Sequence, residues 1–449
     1  MKKKLGFWSI VLLTINSIIG SGIFLSPGSV VTQAGTFAPL VYLSAAIFAA
    51  LLGIVFAAAA KYVAHSGAAY AYAKAAFGQN VGFYIGITRY IAGSIAWGVM
   101  ATAVIKTIIS LGGGNNSNSL LITSCFGILM IVLLLVNFFG PRLFELINNL
   151  STIGKLLALI TTIIAGVFII ITTGANHFSS INQSTPPLTL SRFVMASIAA
   201  FYAFTGFESV ASGSDDMDQP EKNLPRAIPF AIISVALIYI GIIIVSMMIN
   251  PQALIKTKEV VALAAIFKNR SVQNIILVGA LISMFGVNVA ASFSTPRILE
   301  AMAQEKQVPA WFAKRSNHGF PLRAFVTTAL IAIILPLSFN YQMTSIIILS
   351  SISRFIQFLI VPLCVIIFFY GKSKEATLPN VKKSFITDVI CPIIALIMTI
   401  LLLIKFDWVA QFTITAADGH LVPNIFAISA MIIGYFILPL MLFISNPKK

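Results

Sequence analysis

The chain has 449 residues, of which 58% are hydrophobic and 9% charged, with 29 Lys and Arg against 13 Asp and Glu for a net charge of +16. A soluble domain carries about 25% charged residues, so a soluble enzyme, a disordered chain and a fibrous protein are excluded. The basic residues stand in short stretches between apolar blocks of about 20 residues, the length that crosses about 30 Å of hydrocarbon, and they read as topogenic rather than as a nucleic-acid surface.

The predicted fold is an all-α polytopic membrane protein, one transmembrane unit over residues 1–449. Lys2, Lys3 and Lys4 before an apolar run imitate a signal peptide, but no small-x-small site follows and the apolar stretch continues past residue 30. It reads as a first span with a cytoplasmic N-terminus. About twelve spans are expected near 7–34, 39–60, 81–111, 120–139, 150–173, 192–213, 227–249, 274–296, 322–339, 343–369, 385–404 and 423–444. Twelve spans put both termini on one side. With that side cytoplasmic, nineteen Lys and Arg fall inside, five outside and five within spans, which agrees with the excess of positive charge on cytoplasmic loops. No connection is long enough for a soluble domain. The 250–273 connection carries the apolar run Val260 to Phe267 and is expected to hold a short interfacial helix. Gly112 to Ser117 reads as a flexible turn.

Enzyme signals are missing from the sequence. Cys125, Cys364 and Cys391 lie in apolar blocks, without metal-ligand or disulfide spacing. The four histidines (His65, His177, His318, His420) are scattered over connections. Gly371-Lys372-Ser373 resembles the end of a phosphate loop, but Ile366 stands where that loop needs glycine. No metal, cofactor or ATP site is predicted, so any energy must come from a gradient or from exchange.

The first span holds Gly20-Ser21-Gly22-Ile23-Phe24, followed by Pro27-Gly28. Each mid-helix Gly costs about 1 kcal/mol relative to Ala, and unwound backbone survives at membrane depth only against protein or a water-filled cavity. The sixth span holds Phe204-Thr205-Gly206-Phe207-Glu208-Ser209, with an acid in the middle of an apolar block. Small-residue helix contacts are the alternative reading. However, spans one and six open the two halves of a five-plus-five repeat, and interrupted segments in corresponding halves point to a transporter site. A half-helix beginning at a break offers free N–H groups to a carboxylate. One ending there offers carbonyls to an ammonium group. Together they suit the zwitterion of an α-amino acid.

Five stretches carry a family resemblance: Ile18 to Phe24; Ser66-Gly67-Ala68-Ala69-Tyr70-Ala71-Tyr72 with Phe77-Gly78; Asn137-Phe138-Phe139-Gly140 running on to Lys155; Phe204 to Ser209 with Pro220 and Leu224 to Ile228; and Pro296-Arg297-Ile298-Leu299-Glu300-Ala301-Met302-Ala303. The chain resembles bacterial amino-acid permeases of the amino acid–polyamine–organocation superfamily. The resemblance implies an inverted-repeat fold like that of the bacterial leucine transporter, with broken helices 1 and 6. Repeat one would span about 7–173, repeat two about 192–369, and peripheral helices about 385–444. It implies a substrate carboxylate on the amides of Gly20, Ser21 and Gly22. The ammonium would meet carbonyls near Ile18, Tyr202 and Thr205, beside Gly206. Tyr202 matches a position that closes over substrate, and Gly93, Trp97 and Met100 match side-chain pocket positions. Lys61 and Ala64-His65-Ser66-Gly67-Ala68 depart from the family pattern at the inner gate, where relatives often hold an acid.

Charges inside spans are expensive and mark function or pairing. Lys155 either snorkels to the inner surface or works. In the family, a Lys here stands where sodium-coupled relatives hold a sodium ion, which implies sodium-independent transport. Glu208 is the natural proton-linked acid, with a structural hydrogen bond to span one as the alternative. Arg354 and Arg89 are expected to pair with Glu208 or to select an acidic side chain. Arg192 and Lys106 sit near the outer interface and read as snorkelling. The function expected from the sequence is secondary amino-acid transport across a bacterial-type inner membrane by alternating access. A polyamine or organic-cation carrier is the alternative, ahead of a channel or membrane sensor. Partners are a small-molecule substrate and the lipid bilayer, with no nucleic acid.

Overall fold

The computed structural model describes all residues except 1–3, 21, 114–117, 183–184, 186, 257–261, 318, 339–343, 407, 416–419 and 445–449. Helices α1 (Phe7–Ile18) and α2 (Gly22–Ala34) form the interrupted first segment, followed after a 3-10 turn by α3 (Ala38–Tyr62). Short α4 (Ala69–Phe77) leads into α5 (Gln79–Leu111), α6 (Ser119–Phe138) and α7 (Pro141–Thr173). After α8 (Phe178–Asn182), the sixth segment is α9 (Leu190–Tyr202) and a 3-10 stretch, Phe207–Asp216, kinked at Gly213. Then come α10 (Pro220–Ile249), α11 (Pro251–Lys256), α12 (Ala262–Ala265), α13 (Arg270–Gln304), α14 (Leu322–Ser338) and α15 (Thr344–Phe369). A π-helical turn, Ile386–Ile390, opens α16 (Cys391–Lys405). Last are α17 (Trp408–Phe412), α18 (Ile425–Ile432) and α19 (Leu438–Ile444), with an antiparallel pair of strands, β1 (Thr413–Thr415) and β2 (Leu421–Pro423), that sets Ile414 opposite Val422.

Eight helices among the described residues are long and apolar enough to cross a membrane, and shorter apolar helices cover Phe7–Ile18, Leu322–Leu337, Arg354–Phe369 and Ile433–Ile444. This is a polytopic helical membrane protein, as composition requires. The helices overrun the apolar blocks. α7 starts at Pro141 rather than near 150, because Gly140 (φ 102°) turns the chain and Pro141 suits the first helical position. Its polar first turns are used, since Glu145 accepts the Ser9 hydroxyl of α1. Where one interfacial helix was expected, α11 and α12 are two short pieces, and Val260 lies outside the described residues.

Ion pairs gather at the end of the bundle that carries the basic connections. Lys61 Nζ lies 2.8 Å from Asp388 Oδ1, and the Tyr62 hydroxyl donates to Asp388 Oδ2 at 2.8 Å. The departure at Lys61 thus has an answer far along the chain, at the start of α16. Lys74 pairs with Glu305 at 2.9 Å and Glu375 at 3.1 Å. Burial works against its ammonium, but the two carboxylates outweigh burial and hold its pKa above the ordinary lysine value. Lys74 therefore stays charged throughout the physiological range. Asp216 receives Arg297 Nε at 2.7 Å and Arg315 Nη1 at 2.8 Å, and Arg315 Nη2 also reaches Glu300 at 3.0 Å. Leu5 completes this end through its backbone, donating to Asp216 O at 3.0 Å and accepting from Asp218 N at 2.9 Å. Glu300 is 1% exposed, so Arg315→Gln leaves a buried acid without its main partner. An unsatisfied buried group costs about 1–3 kcal/mol. Arg315→Gln is expected to lower the melting temperature by several degrees, and Arg315→Gln with Glu300→Gln to recover part of it. Equal melting of single and double variants would remove the pair from stability.

Candidate functional site

The two interrupted segments meet break to break. At Ile19 the chain leaves the helix (φ −76°, ψ 93°), and α2 resumes at Gly22. Ser21 lies outside the described residues. A Cβ on Gly22 would stand 2.8 Å from Ala203 Cα, and one on Gly206 would stand 2.1 Å from Ser17 O. Gly206 also has φ +124°, which L side chains rarely adopt. Only glycine lets the two backbones approach this closely.

The carbonyls freed at the end of α1 are capped from α7 and α13. Lys155 is fully buried, so the snorkelling reading does not describe it. Its Nζ donates to Asn16 O at 3.2 Å, Ile19 O at 2.5 Å and Ser283 O at 3.3 Å. The Ser283 hydroxyl is 3.0 Å from Ile19 O and 3.1 Å from Gly20 O. Helix ends leave such carbonyls without intrahelical partners, and here a lysine and a serine supply the missing donors. A Cβ on Gly286 would meet Asn16 Oδ1 at 2.4 Å and Lys155 Nζ at 3.1 Å. Asn16 Nδ2 in turn donates to Asn148 Oδ1 at 2.8 Å. Ser283, Asn16 and Gly286 were not anticipated from the sequence.

On the other side of the breaks lies a charged cluster. Glu208 is fully buried and accepts the Gly206 N–H at 2.7 Å, inside its own break rather than from the first segment. Its Oε1 lies 3.3 Å from Arg354 Nε and 4.0 Å from Arg89 Nη2, and is hydrogen-bonded to neither. Arg354 Nη1 donates to Thr205 Oγ1 at 2.8 Å, and its guanidinium stands 5.8 Å from the centre of the Tyr202 ring. A cavity of about 50 Å³ lies among Arg89, Gly93, Met100, Gly206, Glu208 and Arg354.

The family model for amino acid permeases matches residues 5–438. The chain belongs to the amino acid permease family. It is similar to the uncharacterized transporter Rv1979c of Mycobacterium tuberculosis, 38% identical over 98% of this chain and 94% of that one. The serine/threonine exchanger SteT of Bacillus subtilis is 29% identical over 72% of each chain. The branched-chain amino acid permease BcaP of the same organism is 25% identical over 91% of this chain and 89% of its own. This is a transporter family, not an enzyme family.

The permease brings most of the predicted site residues together. Residues 89, 93 and 100 line the cavity from one face of α5, at helical spacing. Gly206 and Glu208 come from the second break and Arg354 from α15, with Thr205 and Tyr202 on Arg354. A Cβ on Gly20 would stand 3.5 Å from Cγ2 of Val287, itself a lining residue. Trp97 is not brought in. Its indole packs edge-on against Phe325 of α14, with ring centres 5.5 Å apart. Ile18 is buried in the core, and the backbone carbonyls of Asn16, Ile19 and Gly20 around it are engaged by Lys155 and Ser283. Tyr202 is 43% exposed at the rim of the cluster, and its carbonyl accepts the Thr205 hydroxyl at 2.8 Å.

Proposed function

We propose that the permease moves α-amino acids across a bacterial-type inner (plasma) membrane by alternating access, without sodium. The observation that carries this reading is the close approach of the two interrupted segments, Gly206 against Ser17 and Gly22 against Ala203. It sets a helix beginning and a helix ending beside one cavity, which suits a zwitterion. The amides of Gly20, Ser21 and Gly22 take the carboxylate; carbonyls near Ile18, Tyr202 and Thr205 take the ammonium. Tyr202 covers the site, and Gly93 and Met100 face the substrate side chain. The element order supports twelve spans arranged as two inverted five-span repeats, about 7–173 and 192–369, with peripheral helices at about 385–444. The basic end is cytoplasmic and holds both termini.

Lys155 supports sodium independence, because its ammonium already occupies the carbonyls at the end of α1. The names of two relatives, a serine/threonine exchanger and a branched-chain permease, support amino acids as the substrate class. An organic-cation carrier fits less well, since two cations, Arg89 and Arg354, face Glu208, the one acid lining the cavity among the described residues. The test uses purified permease in liposomes. Uptake and counterflow of labelled amino acids are measured in sodium and in choline media, with and without a pH gradient. Amino-acid counterflow that is equal in both media is expected. Strict dependence on sodium sinks the coupling assignment, and binding of amines alone sinks the carboxylate site. The pH gradient separates exchange from proton-linked uptake.

A further inference from the structure

Charge does not balance beside the breaks. Glu208 has the Gly206 N–H and Arg354 next to it, and Arg354 also has the Thr205 hydroxyl and the Tyr202 ring. Arg89 is 6% exposed, lines the cavity, and makes no hydrogen bond among the described residues. Its nearest opposite charge is Glu208 at 4.0 Å, beyond hydrogen-bond reach. Lys155 adds a buried amine whose partners among the described residues are backbone carbonyls rather than an acid. Asp216 and Glu300 are held by Arg297 and Arg315 at the basic end. Removing one partner from a buried charge is strongly destabilising, so a guanidinium kept in this position calls for an anion.

We propose that the substrate brings that anion: the permease selects amino acids with an acidic side chain, and Arg89 receives the side-chain carboxylate. This rests on the amino-acid reading above. The α-carboxylate and ammonium meet the break backbones, as in any amino acid, so a second carboxylate needs its own cation. Arg89 presents one on the α5 face that also carries Gly93 and Met100. A planar guanidinium holds a carboxylate through two parallel hydrogen bonds. The cavity of about 50 Å³ is small, and to admit an amino acid the breaks draw apart from α5 and α13. That separation moves Glu208 off Arg89 and leaves its donors to the ligand.

The experiment uses the full-length permease in liposomes. Glutamate and aspartate are compared with glutamine, asparagine, serine, leucine and lysine as counterflow substrates, competitors and thermal stabilisers. Acidic amino acids are expected to be preferred over their amides at least tenfold. In Arg89→Gln that ratio is expected to fall to about one, and in Arg89→Lys to stay above one. Should Arg89→Gln not fold, the wild-type ratio and Arg89→Lys decide. Transport of neutral or cationic amino acids that glutamate and aspartate neither inhibit nor accompany overturns the selectivity and leaves the amino-acid reading standing. A folded permease that neither transports nor is stabilised by any of the seven overturns both.

Discussion

Gly206→Ala is expected to abolish uptake and to cut the yield of folded permease sharply. Two costs fall on one atom. The backbone at Gly206 has φ +124°, a conformation that penalises a Cβ by about 1–2 kcal/mol. The same Cβ would sit 2.1 Å from the Ser17 carbonyl oxygen, and forcing atoms into a packed interior costs about 1–3 kcal/mol more. Because the obstacle is backbone, no rotamer change relieves it, and the two breaks must part. Gly127→Ala is the matched control: it lies within α6, where a Cβ meets nothing within 4 Å. It should be neutral or slightly stabilising. Fluorescence-detected size exclusion and uptake check both. Wild-type behaviour of Gly206→Ala would mean that the breaks do not need to touch.

Lys155→Ala is expected to lower uptake at least tenfold at normal expression. The substitution strips a donor from the carbonyls of Asn16, Ile19 and Ser283. Unsatisfied buried acceptors cost about 1–3 kcal/mol each, although the Ser283 hydroxyl still covers Ile19 and Gly20. The space left behind is walled by carbonyl and hydroxyl oxygens, which suit a hard cation. Sodium chloride, but not choline chloride, is therefore expected to raise the melting temperature of Lys155→Ala and to leave the wild type unmoved. Undiminished uptake by Lys155→Ala would remove Lys155 from the transport cycle.

Features that break a local rule are legible in the sequence. Glycines in the middle of apolar blocks located both breaks, and charges within those blocks located Lys155, Glu208, Arg89 and Arg354. The partners of these residues were not legible. Ser283 meets Ile19 across 264 positions, and Lys61 meets Asp388 across 327. A small hydroxyl residue in an apolar helix looks the same whether it faces lipid or caps a carbonyl. Helix ends differ from the hydropathy pattern for a related reason: hydropathy marks where lipid contact stops, whereas α7 continues to Pro141 because Glu145 has Ser9 to bond. Trp97 shares the four-residue step from Gly93 with Arg89, yet on the helix it falls to the flank that packs against Phe325.

The pairing of Leu5 with Asp216 and Asp218 has a mechanical consequence. Ser17 of helix α1 lies against Gly206, just before the Phe207–Asp216 stretch, and Leu5, just before α1, is paired with Asp216 and Asp218. Two bodies joined at two separate points keep only a rotation about the line between them. In the alternating-access reading proposed above, α1 and Phe207–Asp216 are therefore expected to move together. Lys155 holds this pair at one place and Arg297 with Arg315 hold it at the other, so any movement of the pair is expected to break those contacts. Weakening those contacts is therefore expected to make the basic end open more often, if the permease works by the alternating access proposed above.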